Sequence, residues 1–292
     1  VCVCVCVCVC VCVCVCVCPA LAPRSTSMHS LGHHGQRLEQ RKRLAVLLLP
    51  ALEKVGPISQ PAHVSSCVAV EHECGGKLEA PRGVAVQQLL QPLGDFQGDL
   101  LVLNGDVPLL RPETLCFLVE QHRTSGAAVT LLTARLADPT GYGRIVRQAD
   151  GSVQAIVEHK DASDEQRRIR EIYSGIMAAP ARKLKAWLAR LDNHNAQGEF
   201  YLTDVVRMAV ADGVGVVAHT IDDPLQVAGI NSPAQLAELE RAHQMRVAQT
   251  LMERGVRLQD PARLDVRGAL ECGSDVEIDV NCVFEGRVHL AD

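Results

Sequence analysis

The stretch Leu101-Val102-Leu103-Asn104-Gly105-Asp106-Val107-Pro108 constrains this fold more than any other part of the chain. It follows Gly98-Asp99-Leu100 and opens with a short apolar run lacking helical periodicity, which predicts a strand buried on both faces. Gly105 permits a sharp turn at the strand's end. Asp106 is then left at the carboxyl edge of a parallel sheet, where open α/β sheets bind ligands. A carboxylate in that place, beside a glycine and ahead of a proline, suits a hard divalent cation carrying phosphates. It also suits a cap for the helix expected to start near Pro112-Glu113, because Asp is a favoured N-cap. Local sequence leaves both readings open.

The segments around it alternate in period. Residues 85–93 read as a helix, 99–103 as the strand, 112–124 as a helix and 127–135 as the next strand. Short strands are expected over 143–147 and 152–158, on either side of the turn signal Ala149-Asp150-Gly151. A strand over 172–178 follows, then an amphipathic helix over 182–191 carrying the single Trp, and a helix over 202–212. Strands alternating with helices imply a mostly parallel sheet covered on both faces.

The first 83 residues break this order. Residues 1–18 are a strict Val-Cys alternation, and Ala20-Leu21-Ala22 imitates a signal-peptidase site. No positive charge precedes the run, so it lacks the basic region that a signal peptide needs. The alternation resembles translation of a dinucleotide repeat. Nine of the 14 cysteines lie in it, leaving Cys67, Cys74, Cys116, Cys272 and Cys282, which form no CxxC pair and no metal-like Cys/His spacing. The last three fall at apolar-patterned positions and are expected as small buried hydrophobes, a reduced, cytoplasmic profile. Residues 43–55 look helix-like, and His33, His34 and His63 read as surface histidines. A net charge of -5 gives no reason to expect nucleic acid or an anionic membrane as partner.

Ser232-Pro233 opens a long helix, with Ser as N-cap, Pro at the first helical position and Gln235 completing a capping-box pattern. Gly255 stops it, and at 1.5 Å per residue the rod is roughly 33 Å long, a spacer between domains. Beyond it Leu258, Leu264, Leu270, Val276, Cys282 and Val288 recur every six residues. Val266, Cys272, Ile278, Phe284 and Leu290 repeat the period two residues later. Two rows of period six predict the start of a hexapeptide-repeat β-helix.

Five ordered blocks carry a resemblance. They are Asn104-Gly105-Asp106-Val107-Pro108, Asp138-Pro-Thr-Gly-Tyr-Gly-Arg-Ile145 with Val157-Glu-His-Lys-Asp-Ala-Ser163, Glu171-Ile-Tyr-Ser-Gly-Ile-Met177, Asn195-Ala-Gln-Gly-Glu-Phe-Tyr-Leu-Thr-Asp204, and Val227-Ala-Gly-Ile-Asn-Ser232. In order and spacing the chain resembles, over about residues 84–292, the uridylyltransferase domain of the bifunctional UDP-N-acetylglucosamine pyrophosphorylase / glucosamine-1-phosphate N-acetyltransferase family. The resemblance implies a Rossmann-like nucleotidyltransferase domain over 84–233, a linker helix over 234–254, and over 255–292 the opening of a left-handed hexapeptide-repeat β-helix. Residues 1–83 remain an unmatched segment.

It further implies transfer of a uridylyl group from UTP to N-acetylglucosamine 1-phosphate, giving UDP-N-acetylglucosamine and pyrophosphate. That product serves peptidoglycan and lipopolysaccharide precursor synthesis in the cytoplasm, and the full-length family forms homotrimers. Mg2+ would be held by Asp106 and Asn231. Sugar-nucleotide contacts would come from Asn104, Gly105, Asp106, Gly143, Glu158 and Asn231. Tyr173 stands where many members carry Asn, and is carried over as a further contact. Gly143 suits close approach of a sugar to the backbone. Glu158 can accept from sugar hydroxyls or be an exposed strand-end residue, and His159 and Lys160 can be exposed polar residues without a role. The family's glycine-rich phosphate loop has no match before Ala85, so this chain is expected to turn over poorly. The alternative is a non-catalytic fragment that keeps a sugar-nucleotide pocket.

Overall fold

The computed structural model describes residues 95–291, together with the backbone of four strands before them: β1 (Cys2–Val7), β2 (Val11–Cys16), β3 (Arg43–Leu49) and β4 (Ser66–Glu71). The helix expected over 85–93, Cys74 and the histidines at 33, 34 and 63 lie outside the described residues. The chain divides into two compact units, Val1–Val227 and Ala228–Asp292.

In the first unit the apolar run forms β5 (Asp99–Asn104). Downstream come α1 (Pro112–Ser125), β6 (Val129–Arg135), β7 (Arg144–Arg147), β8 (Val153–Val157), the single turn α2 (Asp164–Arg167) and β9 (Glu171–Pro180). α3 (Ala181–Leu188), α4 (Asp204–Ala211) and β10 (Val216–Ile221) complete it. Side chains alternate across a strand, so burial of β5 on both faces needs cover on both. Leu100 and Val102 pack with Leu184, Trp187, Val205 and Val206 of α3 and α4, while Leu101 and Leu103 pack with Leu115, Leu118 and Val119 of α1. The Rossmann-like α/β class read from the sequence is the one observed.

The sheet is mixed in its pairing. Its order is β10-β6-β9-β5-β3-β4, with the β7–β8 hairpin joined to β9. β10, β6, β5 and β4 point one way, but β9 and β3 run against them, and β10 with β6 is the parallel pair. The expectation of a mostly parallel sheet missed β9 because that strand is buried along nine of its ten residues. Without an exposed face it lacks the polar alternation by which an antiparallel strand usually declares itself. Residues 43–55, expected as helix-like, instead contain β3: the unbroken run Arg-Leu-Ala-Val-Leu-Leu-Leu is too short for periodicity to separate helix from strand. β10 had no expectation at all. Cys116 is exposed, not buried, because it follows Leu115 on α1 and so turns away from the face that carries Leu115, Leu118 and Val119.

Glu171 opens β9 as a buried carboxylate. Arg147 meets it through two nitrogens at 2.9 and 2.6 Å, and the Thr133 hydroxyl donates at 3.1 Å. Burial disfavours its charge, but Arg147 and Thr133 outweigh that and hold the carboxyl below its ordinary range.

The second unit pairs one helix with a parallel coil. α5 (Pro233–Glu253) starts at Ser232, whose hydroxyl accepts from the Gln235 N–H at 3.2 Å. The Gln235 side chain reaches past the expected capping box to the Asn231 N–H, at 2.7 Å. After the helix come β11 (Arg257–Leu258), β12 (Leu264–Cys272), β13 (Glu277–Ile278) and β14 (Cys282–Leu290). β12 pairs in parallel with β14, Leu264 opposite Cys282, at an offset of three six-residue periods. Both rows converge on one core: Leu258, Leu264, Leu270, Val276 and Cys282 from the first, and Val266, Cys272, Ile278, Phe284 and Leu290 from the second. Ala248 and Leu251 of α5 lie in the same core, so the helix expected as a spacer is packed on the coil. Gln244 binds it further, accepting from the Val266 N–H at 2.8 Å and donating to the Val266 carbonyl at 3.1 Å. One buried amide thus replaces a neighbouring strand at that residue.

Two outcomes follow from these packing arrangements. Gln244→Leu leaves both Val266 groups without partners, and should cost the second unit about 2 kcal/mol in urea unfolding. Glu171→Gln should cost about 1–2 kcal/mol at pH 7, a modest value because Arg147 is partly exposed and water screens the pair. A carboxyl held low stabilises fully above its ordinary pKa of 4.5 and loses that contribution as pH falls through the lower folded value. The stability gap between wild type and Glu171→Gln should therefore narrow as pH falls below 4.5 and through the lower folded value. A gap unchanged at pH 3 would show that the charge is not what stabilises.

Candidate sugar-nucleotide site

The carboxyl end of β5 and the middle of β9 meet at a bulge. Between β6 and β9 the register shifts: Leu131 faces Met177, but Thr133 faces Tyr173, so Leu132 stands against three residues, Ser174 to Ile176. The Ser174 side chain repairs the ladder, donating to the Leu132 carbonyl at 2.6 Å and accepting from the Ile176 N–H at 3.2 Å. Gly175 takes the left-handed conformation that the bulge requires, with φ +85°. β5 pairs with β9 only as far as Val102 opposite Met177. Beyond that point the Asn104 side chain takes over, donating from Nδ2 to the Ser174 carbonyl at 3.0 Å.

Several expected site residues converge around this bulge. Asn104 lies so close over Gly175 that a Cβ there would fall 1.9 Å from its Nδ2. Tyr173, buried in β9, donates its N–H to the Gly143 carbonyl at 2.9 Å. Gly143 is buried against β8, where a Cβ would sit 2.8 Å from Ile156 Cγ2 and 3.7 Å from the Glu158 carboxylate. Glu158 accepts from the Thr203 hydroxyl at 3.0 Å, which makes it a held residue and not a loose strand end. Asn104, through Ser174, and then Tyr173, Gly143 and Glu158 thus lie along one string of neighbours. Thr203 extends it, from a block to which the sequence assigned no specific contact, and Ser174 and Gly175 were missed entirely. The pair Ser-Gly inside an apolar strand was the available signal, since glycine there often marks a bulge.

The Asn195–Asp204 block closes beside Glu158. Asn195 Oδ1 accepts from the N–H groups of Gln197 and Glu199, both at 3.1 Å, and Asp161 accepts from the Ala196 N–H at 2.9 Å. Asp161 belongs to the turn that begins at Glu158, its N–H donating to the Glu158 carbonyl at 3.0 Å. Burial first, then the carboxylates of Asp161, Glu158 and Glu199, push the Tyr201 phenol well above its ordinary value, so it stays a neutral donor.

Gly105 is buried in the turn after β5, and Asp106 lies half-buried beside it. The helix-cap reading of Asp106 fails: the N-cap of α1 is Arg111, with no side-chain cap, and the Arg111 N–H is met by Gln226 Oε1 at 3.4 Å. Among the described residues the Asp106 carboxylate has no hydrogen-bond or ion-pair partner, so its lone pairs are available. No group of three or more His, Cys, Asp or Glu that could hold a metal occurs among the described residues. A Mg2+ carried by phosphates asks for only one or two carboxylates, and Asp106 fits that demand. Asn231 lies in the second unit, just before α5.

Gly175→Ala should push Asn104 off Ser174 and force a left-handed φ on a residue with a Cβ. A loss of about 2–4 kcal/mol in chemical unfolding is expected, from both causes together. A variant within a few tenths of a kcal/mol of wild type would mean the bulge has slack.

No family model matches the sequence. The bifunctional protein GlmU of Polaromonas naphthalenivorans is 66% identical over 209 residues, covering 70% of this chain and 44% of that protein. Its counterpart in Paracidovorax citrulli is 60% identical over 235 residues, covering 77% and 48%. Among solved structures, UDP-glucose pyrophosphorylase complexed with UDP-glucose aligns at a TM-score of 0.46 and 15% identity, covering 58% of this chain and 64% of that one. The chain spans a little under half the length of the curated relatives it matches. Over the stretch they share, this chain is similar to these GlmU proteins.

Proposed function

We propose that the chain is an N-acetylglucosamine-1-phosphate uridylyltransferase, a Mg2+-dependent nucleotidyltransferase acting in the cytoplasm on the way to cell-wall precursors. The observation that carries the reading is the string from Asn104 through Tyr173 and Gly143 to Glu158, two residues from a carboxylate with no partner of its own. The 66% identity to a GlmU supports the same assignment of substrates. Among the described residues no helix is long and apolar enough to cross a membrane.

The reaction joins an oxygen of the sugar phosphate to the α-phosphorus of UTP, and the bond from that phosphorus to pyrophosphate breaks. It calls for in-line positioning and charge neutralisation, without a covalent nucleophile. Glu158, oriented by Thr203, accepts from sugar hydroxyls. Gly143 lets the sugar approach the backbone, and Asn104 and Gly105 line the nucleotide side. Asp106 would hold Mg2+, which when bound offsets phosphate charge. Tyr173 acts through its backbone, whose N–H is already committed to Gly143. The parallel register of β12 and β14 supports reading the double row of period six as the start of a hexapeptide-repeat coil.

Turnover by this chain is expected to be slow, because residues 1–83 contain no glycine-rich phosphate loop. Calorimetry with UDP-N-acetylglucosamine, with and without Mg2+, therefore tests the site more sharply than rate alone. Asp106→Asn should abolish the Mg2+ dependence of binding and any pyrophosphate release from UTP and N-acetylglucosamine 1-phosphate. It should change stability by less than about 1 kcal/mol, as expected for a residue that caps nothing. Undiminished Mg2+-dependent binding by Asp106→Asn would refute the metal assignment. Binding of the sugar nucleotide with no measurable turnover under any condition would favour the non-catalytic reading.

A further inference from the structure

Arg144, the first residue of β7, is 1% exposed, and no carboxylate pairs with it among the described residues. Buried arginines are almost always paired with an opposite charge, so this one calls for a reason. Its donors go to neutral acceptors. One terminal nitrogen donates to the Tyr142 carbonyl; the other donates to His159 Nδ1 at 3.2 Å and to the Arg167 carbonyl at 3.4 Å. Nε is buried with no acceptor. Arg167 in turn donates from Nε to the His159 carbonyl at 3.4 Å, so α2 and the turn that begins at Glu158 are tied to each other as well. Burial depresses the basicity of Arg144, with Asp138 partly restoring it, as a guanidinium without a full counter-charge would show.

The acceptors explain the placement. Tyr142 precedes Gly143, and His159 follows Glu158. The guanidinium therefore holds an atom one residue away from each of two neighbouring site positions, which come from separate segments of the chain. Gly143 is pinned from its other side by the Tyr173 N–H at 2.9 Å. We propose that Arg144 is a positioning residue for the sugar side of the pocket, its buried guanidinium fixing the backbone at Gly143 against the turn that carries Glu158. This rests on the reading of Gly143 and Glu158 as sugar contacts. Arginine suits the task because its donors leave a rigid plane in set directions, which a lysine ammonium cannot reproduce. A guanidinium has no lone pair, so His159 Nδ1 accepts and its ring proton sits on Nε2.

The test titrates the full chain with UDP-N-acetylglucosamine and, separately, with UMP, which lacks the sugar. Arg144→Lys should weaken UDP-N-acetylglucosamine about ten-fold or more and leave UMP within about two-fold, since sub-ångström misplacement acts only on the group misplaced. In nitrogen NMR, His159 should show Nδ1 unprotonated in the wild type and a mixture of tautomers in Arg144→Lys. Equal weakening of both ligands, or unchanged sugar-nucleotide affinity, would reduce Arg144 to a structural residue and overturn the proposal. Should Arg144→Lys fail to fold, His159→Phe removes one acceptor without touching the arginine. It should then weaken UDP-N-acetylglucosamine but not UMP, and equal effects on both ligands overturn the proposal. A wild type that binds the two ligands equally refutes the sugar pocket itself, and that failure is visible before any variant is made.

Discussion

The bulge in β9 is the constraint on which the rest of the site depends. Inserting residues into a strand buried on both faces leaves backbone groups without partners, and an orphan there costs about 1–3 kcal/mol. Ser174 resolves this with one hydroxyl that donates to Leu132 and accepts from Ile176. Gly175 absorbs the backbone twist, and the space above it, empty for want of a Cβ, receives the Asn104 amide. Three of the candidate site residues take their place from that repair. Asn104 is set by Ser174, Tyr173 is the last residue before the register shift, and Gly143 is set by Tyr173. A bulge re-aims side chains that an ordinary ladder would hold alternately on the two faces of the sheet.

What was legible in the sequence is what depends on short range. The apolar run of β5, the Ser232 cap and the two rows of period six each declare a local pattern, and each is found in the structure. Gln235 shows the limit: its type and spacing are those of a capping box, but its side chain bonds the Asn231 N–H instead. The pattern fixes which residues can meet and leaves open which donor wins. The reversed course of β9 was not legible, because burial on both faces erases the alternation that distinguishes antiparallel from parallel strands. The same holds for Arg147 and Glu171, which stand 24 residues apart in sequence and meet only across β7 and β9.

Motif blocks supplied the site residues that no period could. Asp138–Ile145 and Val157–Ser163 are polar segments without a pattern of their own, and their agreement in space is a tertiary event. Gly143 faces Glu158 because β7 and β8 form a hairpin, with Arg144 opposite Val157 in its register. Thr203 reaches Glu158 from the N-cap of α4, 45 residues further along the chain. Sequence could place each residue at the end of an element. It could not say that one hydroxyl would orient one carboxylate.

Charge gives the last step. Most carboxylates near the site are engaged: Glu158 by Thr203, Asp161 by the Ala196 N–H, Asp138 by the Thr140 N–H. Asp106 alone among these has no partner in the described residues, although it stands half-buried at the end of a strand, where a partner would stabilise it. Arg144 is the complementary case, a buried cation whose terminal nitrogens meet carbonyls and an imidazole instead of an acid, and whose Nε has no acceptor. A fold selected for stability alone would gain by pairing such groups or by replacing them with apolar ones. Keeping a carboxylate free at the sheet's edge is what a cation carrying phosphates requires. Binding a guanidinium to backbone carbonyls, in turn, is how a fold stiffens a loop without placing a second carboxylate beside Glu158. Of these two charges, neither with an opposite partner among the described residues, Asp106 stands half-buried after β5 and Arg144 is buried at the start of β7.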